Sequence, residues 1–408
     1  MRDGDVVVIG GGYAGVRLAK RLDETANVTL VDRKEVFFHR IASLRAGVHP
    51  EWTVTPFIPY DRLLRNGRMA VGKVVGVDTA ERQVVLATGE RLPYDVVVIA
   101  TGADYPEPAR FTGTTVEEAA QSFAGHQRNI AAAEHVLVVG GGPSGVELSA
   151  EIRLARPDAR VTLAHSGPTL LHATGSERAG NRARSWLEAH DVEVRLDSFM
   201  SPGNDFGTYR DAHGNVIDAD LSFWATGTTP NTFWLRMAGH SDWLNPSGHV
   251  RVDRTLRVEG WPDVFAVGDV NDVSELKITP VALAQADLAF HNIRAYLQGS
   301  GKHRRQPRFY RPIHRTPLVV PFGAADGVTM VPVPGGETAV LGGRTATMAK
   351  AKTLMTPYMR RQLGYTAACP PPRVETAWRR RGGHVEAVST GSSTVACAPV
   401  VTPPYALR

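Results

Sequence analysis

The chain has 408 residues, of which 43% are hydrophobic and 21% are charged, and its formal net charge is +5. This length and composition are typical of a globular protein with two or three domains and a large core. No apolar run reaches the roughly 18–20 residues needed to span a bilayer, which excludes a helical membrane protein. The start, Met1-Arg2-Asp3-Gly4, leads almost at once into a predicted strand, so we expect no signal peptide and a cytoplasmic protein.

The first predicted element is a buried strand that runs into a glycine-rich loop. Residues 6–15 have the sequence Val-Val-Val-Ile-Gly-Gly-Gly-Tyr-Ala-Gly, in which Gly10, Gly12 and Gly15 form a G-x-G-x-x-G pattern before a predicted helix. In such a loop the first glycine allows a tight turn, the second lets the backbone approach a pyrophosphate, and the third lets helix and strand pack closely. The helix N-terminus offers N–H groups and partial positive charge to the phosphates.

The next predicted strands end in residues that suit a dinucleotide. The second strand ends at Asp32, whose carboxylate is placed to accept hydrogen bonds from ribose hydroxyls. A further buried strand ends in Ala100-Thr101-Gly102. Residues 1–110 are therefore predicted to supply most of one dinucleotide-binding domain.

A second glycine loop occurs 130 residues after the first. Residues 136–145 have the sequence Val-Leu-Val-Val-Gly-Gly-Gly-Pro-Ser-Gly, with Gly140, Gly142 and Gly145 in the same pattern. Two such loops, each between a strand and a helix, predict two dinucleotides bound by one chain, with a hydride passing between them. The strand after this loop ends at His165 and not at a carboxylate, so we expect NADPH to be accepted at least comparably to NADH. Three arginines that could contact a 2′-phosphate follow in the sequence: Arg178, Arg182 and Arg184.

The second half of the chain repeats these strand endings. One buried strand ends in Thr226-Gly227, and a later one ends in Gly268-Asp269. Lys277 then precedes an apolar helix with a proline in its first turn. The N-terminus of such a helix would stabilise a reduced, anionic cofactor ring.

The order of the motifs predicts the domain organisation and an α/β fold. Two Rossmann-like domains are expected, the first made of residues 1–110 and 251–312 and the second inserted at 111–250. Residues 313–365 are predicted to form a small C-terminal α+β region of short strands and a basic helix. Residues 366–408 are rich in Pro, Ser, Thr and Gly and are expected to be disordered.

Charge is unevenly distributed along the chain. Residues 301–408 contain 16 Lys and Arg against 4 Asp and Glu, a net charge of +12, whereas residues 1–300 have a net charge of −7. Between Arg344 and Tyr365, apolar and basic residues are interspersed. This pattern predicts either an amphipathic helix on an anionic membrane surface or a helix that packs on the first domain with its charges exposed. No groove-reading motif accompanies the charge, so we expect no nucleic-acid partner.

Together the motifs resemble the two-dinucleotide-binding flavoproteins related to type II NADH dehydrogenases. The chain is most similar to their apoptosis-inducing-factor-like branch, which contains the ferroptosis suppressor proteins and their quinone reductase activity. That branch has Val-Asp-x-Lys-(Asp/Glu)-x-Phe-x-His and then Leu-Arg-Ala, which residues 31–39 and 44–46 match. It also has Thr-Leu-Ile-His-Ser where type II dehydrogenases carry a glutamate, and residues 162–166 match this except at Ala164. The resemblance covers residues 5–365.

The resemblance implies FAD at the first site and NAD(P)H at the second. Asp269 would bind the ribityl chain of FAD, and His39 and Arg40 would bring side chains to the flavin. Glu147 would reach the nicotinamide beside the flavin, and Lys277 would precede the helix aimed at the flavin, so these two are the predicted catalytic residues. The residues expected to bind the cofactors are Gly10, Gly12, Tyr13, Ala14, Gly15, Asp32, Arg33, Lys34, His39, Arg40, Val74, Ala100, Thr101, Gly102, Gly140, Gly142, Pro143, Ser144, Gly145, Glu147, His165, Thr226, Gly227, Gly268, Asp269, Pro280 and Val281.

The two cysteines, Cys369 and Cys397, both lie in the C-terminal tail. Disulfide reductases of the same fold place a cysteine pair beside the flavin, so this chain is expected to pass electrons from the flavin directly to the acceptor. Two cysteines in a chain of this length also fit a reducing cytoplasm. The histidines lack metal-ligand spacing, and no metal site is predicted.

The function expected from these observations is that of an FAD-dependent NAD(P)H oxidoreductase. It would pass a hydride from NAD(P)H to the flavin and then two electrons to a quinone-like acceptor. Two alternatives remain open: a tailoring flavoenzyme of secondary metabolism that acts on a small aromatic, and a flavin-bearing binding or signalling protein with negligible turnover. A monomer or homodimer is expected, located in the cytoplasm and peripheral on the inner face of the membrane if the basic region binds lipid.

Overall fold

The computed structural model describes residues 3–111, 113–203, 205, 207–299 and 306–366, and the backbone of two further strands, Ala377–Arg381 and His384–Val388. These residues form two domains built on parallel sheets and a small C-terminal region. The predicted α/β fold class is confirmed.

Five parallel strands form the sheet of the first domain. In spatial order they are Val264–Ala266, Val96–Ile99, Asp5–Ile9, Asn27–Asp32 and Arg68–Val71. The helices Tyr13–Leu22 and Thr279–Leu297 pack together on one face, and a three-stranded antiparallel sheet covers the other. Because both faces are covered, residues 6–9 of the central strand Asp5–Ile9 form a continuous apolar run. The carboxyl ends of the five parallel strands meet at one edge of the sheet, where the first glycine loop lies.

The inserted domain repeats this arrangement with four parallel strands. In spatial order they are Val192–Arg195, Arg160–Ala164, His135–Val139 and Leu221–Trp224. Its helices are Val116–Ala132, Pro143–Ala155 and Glu177–Ala189. Two short strands, Ala103–Asp104 and Thr229–Pro230, pair antiparallel where the chain passes between the two domains.

The remaining elements before residue 300 are short. The strands are Val36–Phe38, Phe57–Pro59, Val74–Asp78, Gln83–Leu86, Arg91–Pro93, Met200–Pro202, Thr208–Asp211 and Val216–Asp218. The helices are Arg40–Ala46 and Phe233–Met237, with single 3-10 turns at Pro50–Trp52, His172–Thr174 and Ser241–Trp243. Within the described ranges, no helix is long and apolar enough to cross a membrane.

The C-terminal region joins the two domains. Its antiparallel strands, Leu318–Phe322, Asp326–Pro332 and Thr338–Leu341, place Val320 and Phe322 in the core of the inserted domain. The chain then returns to the first domain, on which the helix Thr356–Gln362 packs. This region therefore spans the junction between the two dinucleotide-binding domains.

The basic helix predicted for this region is not continuous. The chain forms a helical turn, Gly343–Ala346, then a π-helix, Thr347–Ala351, and finally the helix Thr356–Gln362. Leu354 and Met355 interrupt the helix with positive φ angles of 48° and 59°. The break turns the last helix onto the first domain.

Most apolar side chains of this segment are buried, which favours packing over a membrane-lying helix. Met359, Leu363 and Tyr365 belong to the core of the first domain, whereas Met348 is 89% exposed. The tail at 366–408, which was expected to be disordered, lies outside the described residues except for Thr366 and the antiparallel pair of strands Ala377–Arg381 and His384–Val388.

Candidate functional site

The first glycine loop has the geometry of a pyrophosphate cradle. Gly10 has a φ of +106°, and a Cβ there would lie 2.4 Å from the carbonyl oxygen of Ala100. A Cβ at Gly15 would lie 1.9 Å from the carbonyl oxygen of Gly10, so this glycine allows the helix to approach the strand. At Gly12 an added Cβ would meet no atom within 4 Å. The loop is therefore packed at its first and third glycines and open at its second, where a phosphate would lie.

The second loop reproduces this geometry. Gly140 has a φ of +115°, and a Cβ at Gly145 would lie 1.8 Å from its carbonyl oxygen. Gly142 again faces open space, with no atom within 4 Å of an added Cβ. Tyr13-Ala14 and Pro143-Ser144 begin the two helices that follow the loops. Both cradles fit the pyrophosphate of a dinucleotide.

The residues at the ends of the next strands occupy equivalent positions. The backbone N–H of Gly11 donates to Asp32 Oδ2 at 2.6 Å, and the N–H of Gly141 faces His165 Nδ1 at 3.2 Å. Because Nδ1 accepts this hydrogen bond, the imidazole is neutral with its proton on Nε2. Burial lowers the pKa of His165, which favours the same form. The carboxylate of the first site is thus replaced by a neutral ring at the second.

Lys34 and Arg33 differ in their position relative to the first ribose site. Lys34 Nζ lies 2.6 Å from Asp32 Oδ1, so it belongs to the site. Arg33 Nη1 donates to the carbonyl oxygen of Gly113 at 3.0 Å. Val74 is buried in the antiparallel sheet on the face of the first domain.

The three arginines considered for a 2′-phosphate are not gathered at His165. Arg182 Nη2 lies 3.2 Å from Asp326 Oδ1, and Arg184 Nε lies 2.7 Å from Glu188 Oε1. Arg178 is exposed near the start of the helix Glu177–Ala189.

The two Ala-Thr-Gly segments lie at the junction of the domains. Thr101 Oγ1 donates to the carbonyl oxygen of Asn231 at 2.9 Å, and Asn231 Nδ2 donates to the carbonyl oxygen of Thr101 at 3.1 Å. This pair of bonds ties the end of the first strand, at Ala100–Gly102, to the chain just after Thr226-Gly227.

The Gly268-Asp269 loop is fixed by the helix that follows it. The Gly268 N–H donates to Gln285 Oε1 at 2.7 Å, and Asp269 Oδ2 accepts from the Tyr105 hydroxyl at 2.8 Å. Lys277 Nζ donates to the carbonyl oxygens of Asn271, at 2.8 Å, and Val273, at 3.1 Å. Lys277 therefore braces the loop that presents Asp269, and its direct catalytic role stays a prediction.

The helix after this loop begins as the sequence indicated. It covers Thr279–Leu297 and has Pro280 in its first turn, followed by buried Val281. Burial lowers the pKa of Lys277, and Asp269 opposes this shift. The loop, the lysine and the helix N-terminus thus form one assembly at the carboxyl edge of the first sheet.

His39 and Arg40 lie beside the first glycine loop. His39 is fully buried, with Nδ1 3.0 Å from the Tyr13 hydroxyl and Nε2 2.7 Å from the carbonyl oxygen of Leu354. A carbonyl only accepts, so Nε2 carries the proton and Nδ1 accepts from Tyr13. Burial lowers the pKa of His39 to about 4, so the ring is neutral. The Arg40 guanidinium stacks 3.9 Å from the ring of Tyr105, which in turn bonds to Asp269.

Glu147 forms a buried ion pair that the sequence did not reveal. Its Oε1 lies 2.7 Å from Lys350 Nζ, and Lys350 also donates to the carbonyl oxygen of Val319 at 3.1 Å. Glu147 is 7% exposed. Burial raises the pKa of Glu147, and Lys350 limits the rise. The helix after the second glycine loop thus meets the C-terminal region through an acid and a base in direct contact.

A second buried pair lies one helical turn further on. Arg45 Nε lies 2.8 Å from Glu151 Oε1, and His49 Nε2 lies 3.1 Å from Glu151 Oε2. The sequence signals for this pair were the Leu-Arg-Ala motif and a glutamate four residues after Glu147. Neither signal indicated that the two residues meet.

Comparison with known proteins identifies the family. The family model described as pyridine nucleotide-disulphide oxidoreductase matches residues 4–286. Apoptosis-inducing factor homolog B of Dictyostelium discoideum is 32% identical over 374 residues, covering 86% of this chain and 94% of that protein. Human ferroptosis suppressor protein 1 is 32% identical over 337 residues, covering 80% and 88%. An FAD-dependent oxidoreductase of Flammulina velutipes is 32% identical over 311 residues, covering 74% and 93%. The predicted resemblance is confirmed.

Solved structures show the same fold. The sulfide:quinone oxidoreductase of Aquifex aeolicus superimposes with a TM-score of 0.72 at 19% identity, covering 88% of this chain and 91% of that chain. A ferredoxin reductase of Rhodopseudomonas palustris superimposes with a TM-score of 0.62 at 17% identity, covering 81% and 83%. Residues 4–286 contain no cysteine. The chain belongs to the pyridine nucleotide-disulphide oxidoreductase family and is an oxidoreductase whose cofactors are FAD and NAD(P)H.

Proposed function

We propose that this protein is an FAD-dependent NAD(P)H oxidoreductase that reduces a quinone-type acceptor. The observation that carries the proposal is the buried contact between Glu147 and Lys350 at the junction of the two dinucleotide-binding domains. The family region also lacks the cysteines that a disulfide reductase would need. Transfer to a small organic acceptor that takes up protons is the chemistry that these two features favour.

The overall reaction would convert NAD(P)H, a quinone and one proton into NAD(P)⁺ and a hydroquinone. Bound FAD would accept the hydride and supply the two electrons to the acceptor. The hydroquinone needs two electrons and two protons, and the hydride supplies both electrons and one proton. The second proton must therefore enter from solvent through the protein. A carboxyl with a raised pKa in contact with an ammonium group is suited to hold and deliver that proton.

The residues of each domain would hold the two cofactors in line. Asp32 would accept hydrogen bonds from the ribose of FAD, and Asp269 would accept them from its ribityl chain. The N-terminus of the helix Thr279–Leu297 would direct its partial positive charge at the flavin. Tyr105 keeps one oxygen of Asp269 engaged, which fixes the orientation of the carboxylate.

Known relatives support an electron acceptor of this kind. The Aquifex aeolicus structure is named as a sulfide:quinone oxidoreductase and shares the fold over 88% of this chain. Residues 4–286 have no counterpart to the cysteines of a disulfide pathway, so we propose neither sulfide as the electron donor nor a disulfide as the acceptor.

We also propose that the basic C-terminal segment contacts an anionic membrane surface from the cytoplasmic side. The support is the net charge of +12 in residues 301–408 and the exposed side chains of Arg344, Met348 and Lys352. Since Met359 and Leu363 are buried, this contact would be electrostatic and shallow, without insertion of an apolar helix face.

Anaerobic reduction followed by reoxidation with a panel of acceptors tests the function. The purified protein should be yellow, should bleach with NADH or NADPH, and should be reoxidised fastest by benzoquinones. Faster reoxidation by small non-quinone aromatics would favour a tailoring enzyme. If NAD(P)H reduces the flavin but none of the acceptors reoxidises it during the experiment, a binding or signalling protein would be favoured.

A further inference from the structure

We infer that Arg45 is a positioning residue that holds Glu147 and Lys350 in contact by bonding to both of the segments that carry them. The inference rests on the proposed function, because it concerns the acid–base pair to which that function is assigned. Arg45 itself touches neither member of the pair in the hydrogen-bond network.

One guanidinium bonds to both segments, to a side chain of the first and to the backbone of the second. Arg45 Nε and Nη2 lie 2.8 Å and 2.7 Å from Glu151 Oε1, and Nη1 donates to the carbonyl oxygen of Ala351 at 2.8 Å. Glu151 lies one turn after Glu147 on the helix Pro143–Ala155, and Ala351 follows Lys350 in the π-helix. The distance between the two segments is therefore set by a rigid planar group with fixed donor directions.

The surroundings of Arg45 allow it little freedom. The side chains of Arg45 and Glu151 are only 3% and 6% exposed, and the guanidinium lies 4.8 Å from the ring centre of Trp52. The second oxygen of Glu151 is held by His49 at 3.1 Å. Although burial opposes ionisation, the bonds from His49 and Arg45 leave the pKa of Glu151 below its ordinary value. Glu151 thus stays charged and remains a firm anchor for Arg45.

The spacing of its donor nitrogens explains why arginine suits this site. A lysine carries all its donors on one nitrogen atom, whereas Arg45 meets Glu151 through Nε and Nη2 and the Ala351 carbonyl through Nη1, so a lysine would not reproduce both bonds at their present spacing. Without the bond to Ala351, the π-helix would keep only its contacts through Lys350 and neighbouring residues. We therefore expect Arg45→Lys to retain the fold and to loosen the segment at Thr347–Ala351.

The test compares the holoenzyme with R45M/E151Q, K350M and the triple variant that combines them. The double change removes a cation and an anion together, so no buried charge is left unpaired. The matched control is R251M/E259Q, which makes the same replacements at an exposed pair whose Arg251 Nε and Glu259 Oε2 are 3.4 Å apart. Reoxidation of the reduced enzyme by a short-chain benzoquinone and hydrogen–deuterium exchange of residues 343–362 are measured for each.

We expect R45M/E151Q to slow reoxidation about tenfold and the control R251M/E259Q to match the native enzyme. The triple variant should reoxidise at a rate within about twofold of that of K350M, because the effects of coupled residues are not additive. Amide exchange in Thr347–Ala351 should rise about tenfold in R45M/E151Q and less in Arg45→Lys, while the first sheet keeps its protection. Losses that multiply in the triple variant, or unchanged reoxidation or exchange in R45M/E151Q, would overturn the inference alone. A native rate in K350M would overturn the proposed role of the pair and the inference with it.

Discussion

His165 lies beside the second glycine loop in the position that Asp32 takes beside the first. In both domains the side chain at the end of the second strand accepts a hydrogen bond from the middle glycine of the loop, Gly11 or Gly141. Since the ribose of a bound dinucleotide lies at this position, the two sites differ in charge where the 2′-substituent lies. A carboxylate there repels a 2′-phosphate, and a neutral imidazole does not.

Replacement of this histidine should therefore change cofactor preference. The native protein should accept NADPH at least as well as NADH, and His165→Glu should lower kcat/KM for NADPH relative to NADH by about tenfold or more, since ~1.4 kcal/mol of repulsion is a factor of ten. Stopped-flow reduction of the flavin by each nucleotide measures this. His165→Gln, which adds no charge, is the control. A native preference for NADH of roughly a hundredfold would contradict the interpretation.

Asp269 should be needed to retain FAD. Asp269→Ala removes a charge-assisted acceptor worth ~1.5–3 kcal/mol, so the dissociation constant for FAD should rise about 10- to 150-fold. Tyr105→Phe removes the partner of this carboxylate but leaves the carboxylate itself, and it should have a smaller effect. Flavin content after extensive dialysis measures both. Equal retention by Asp269→Ala and the native protein would remove Asp269 from the FAD site.

His39 should make the free energy of unfolding depend on pH. Its pKa is lowered to about 4 by burial, from an ordinary 6.5, so the unfolded chain binds the proton more readily than the folded one. The stability that this group contributes is present above pH 6.5 and is lost as the pH falls towards 4, by about 2 kcal/mol between pH 7 and pH 5. Denaturant unfolding at the two pH values measures it. His39→Gln should show a smaller difference between pH 7 and pH 5, and an identical difference would exclude His39 as its source.

Binding to vesicles tests the membrane proposal. Each exposed basic residue near an anionic surface is worth ~1 kcal/mol, so R344Q/K352Q should weaken binding to anionic vesicles by roughly 30-fold. Binding should also fall as salt is raised. Cosedimentation with neutral vesicles is the control. If the native protein does not bind anionic vesicles, the membrane proposal is wrong and the acceptor must reach the enzyme from solution.

Local sequence patterns predicted the parts of the site that are formed within one element or at its end. The predicted positions are found where their strands end: the two glycine loops, Asp32, His165 and Gly268-Asp269. Each could be predicted because its pattern extends over only a few consecutive residues. The helix N-terminus at Pro280 was predicted for the same reason.

Contacts between distant segments were not predictable in this way. Both predictions for residues 344–365 left the charge of Lys350 exposed, because a basic residue among apolar ones is compatible with solvent, lipid or a buried partner. Its partner Glu147 is 203 residues away. The helix break at Leu354 and Met355 also lacks a local signal, since neither is glycine, and it depends on tertiary contacts such as the bond from His39 to the Leu354 carbonyl.

Glu147 and Lys350 are proposed to supply a proton to a quinone acceptor, and rapid reoxidation of the reduced holoenzyme measures this role. Glu147→Gln and Lys350→Met should each slow reoxidation by a benzoquinone by about 100-fold, in the range that proton transfer by a positioned side chain contributes. Reoxidation by ferricyanide, which takes up electrons without a proton, should stay at the native rate, as should both reactions in the exposed control Lys352→Met. Native rates with the quinone in both variants, or equal losses with quinone and ferricyanide, would contradict proton delivery by this pair.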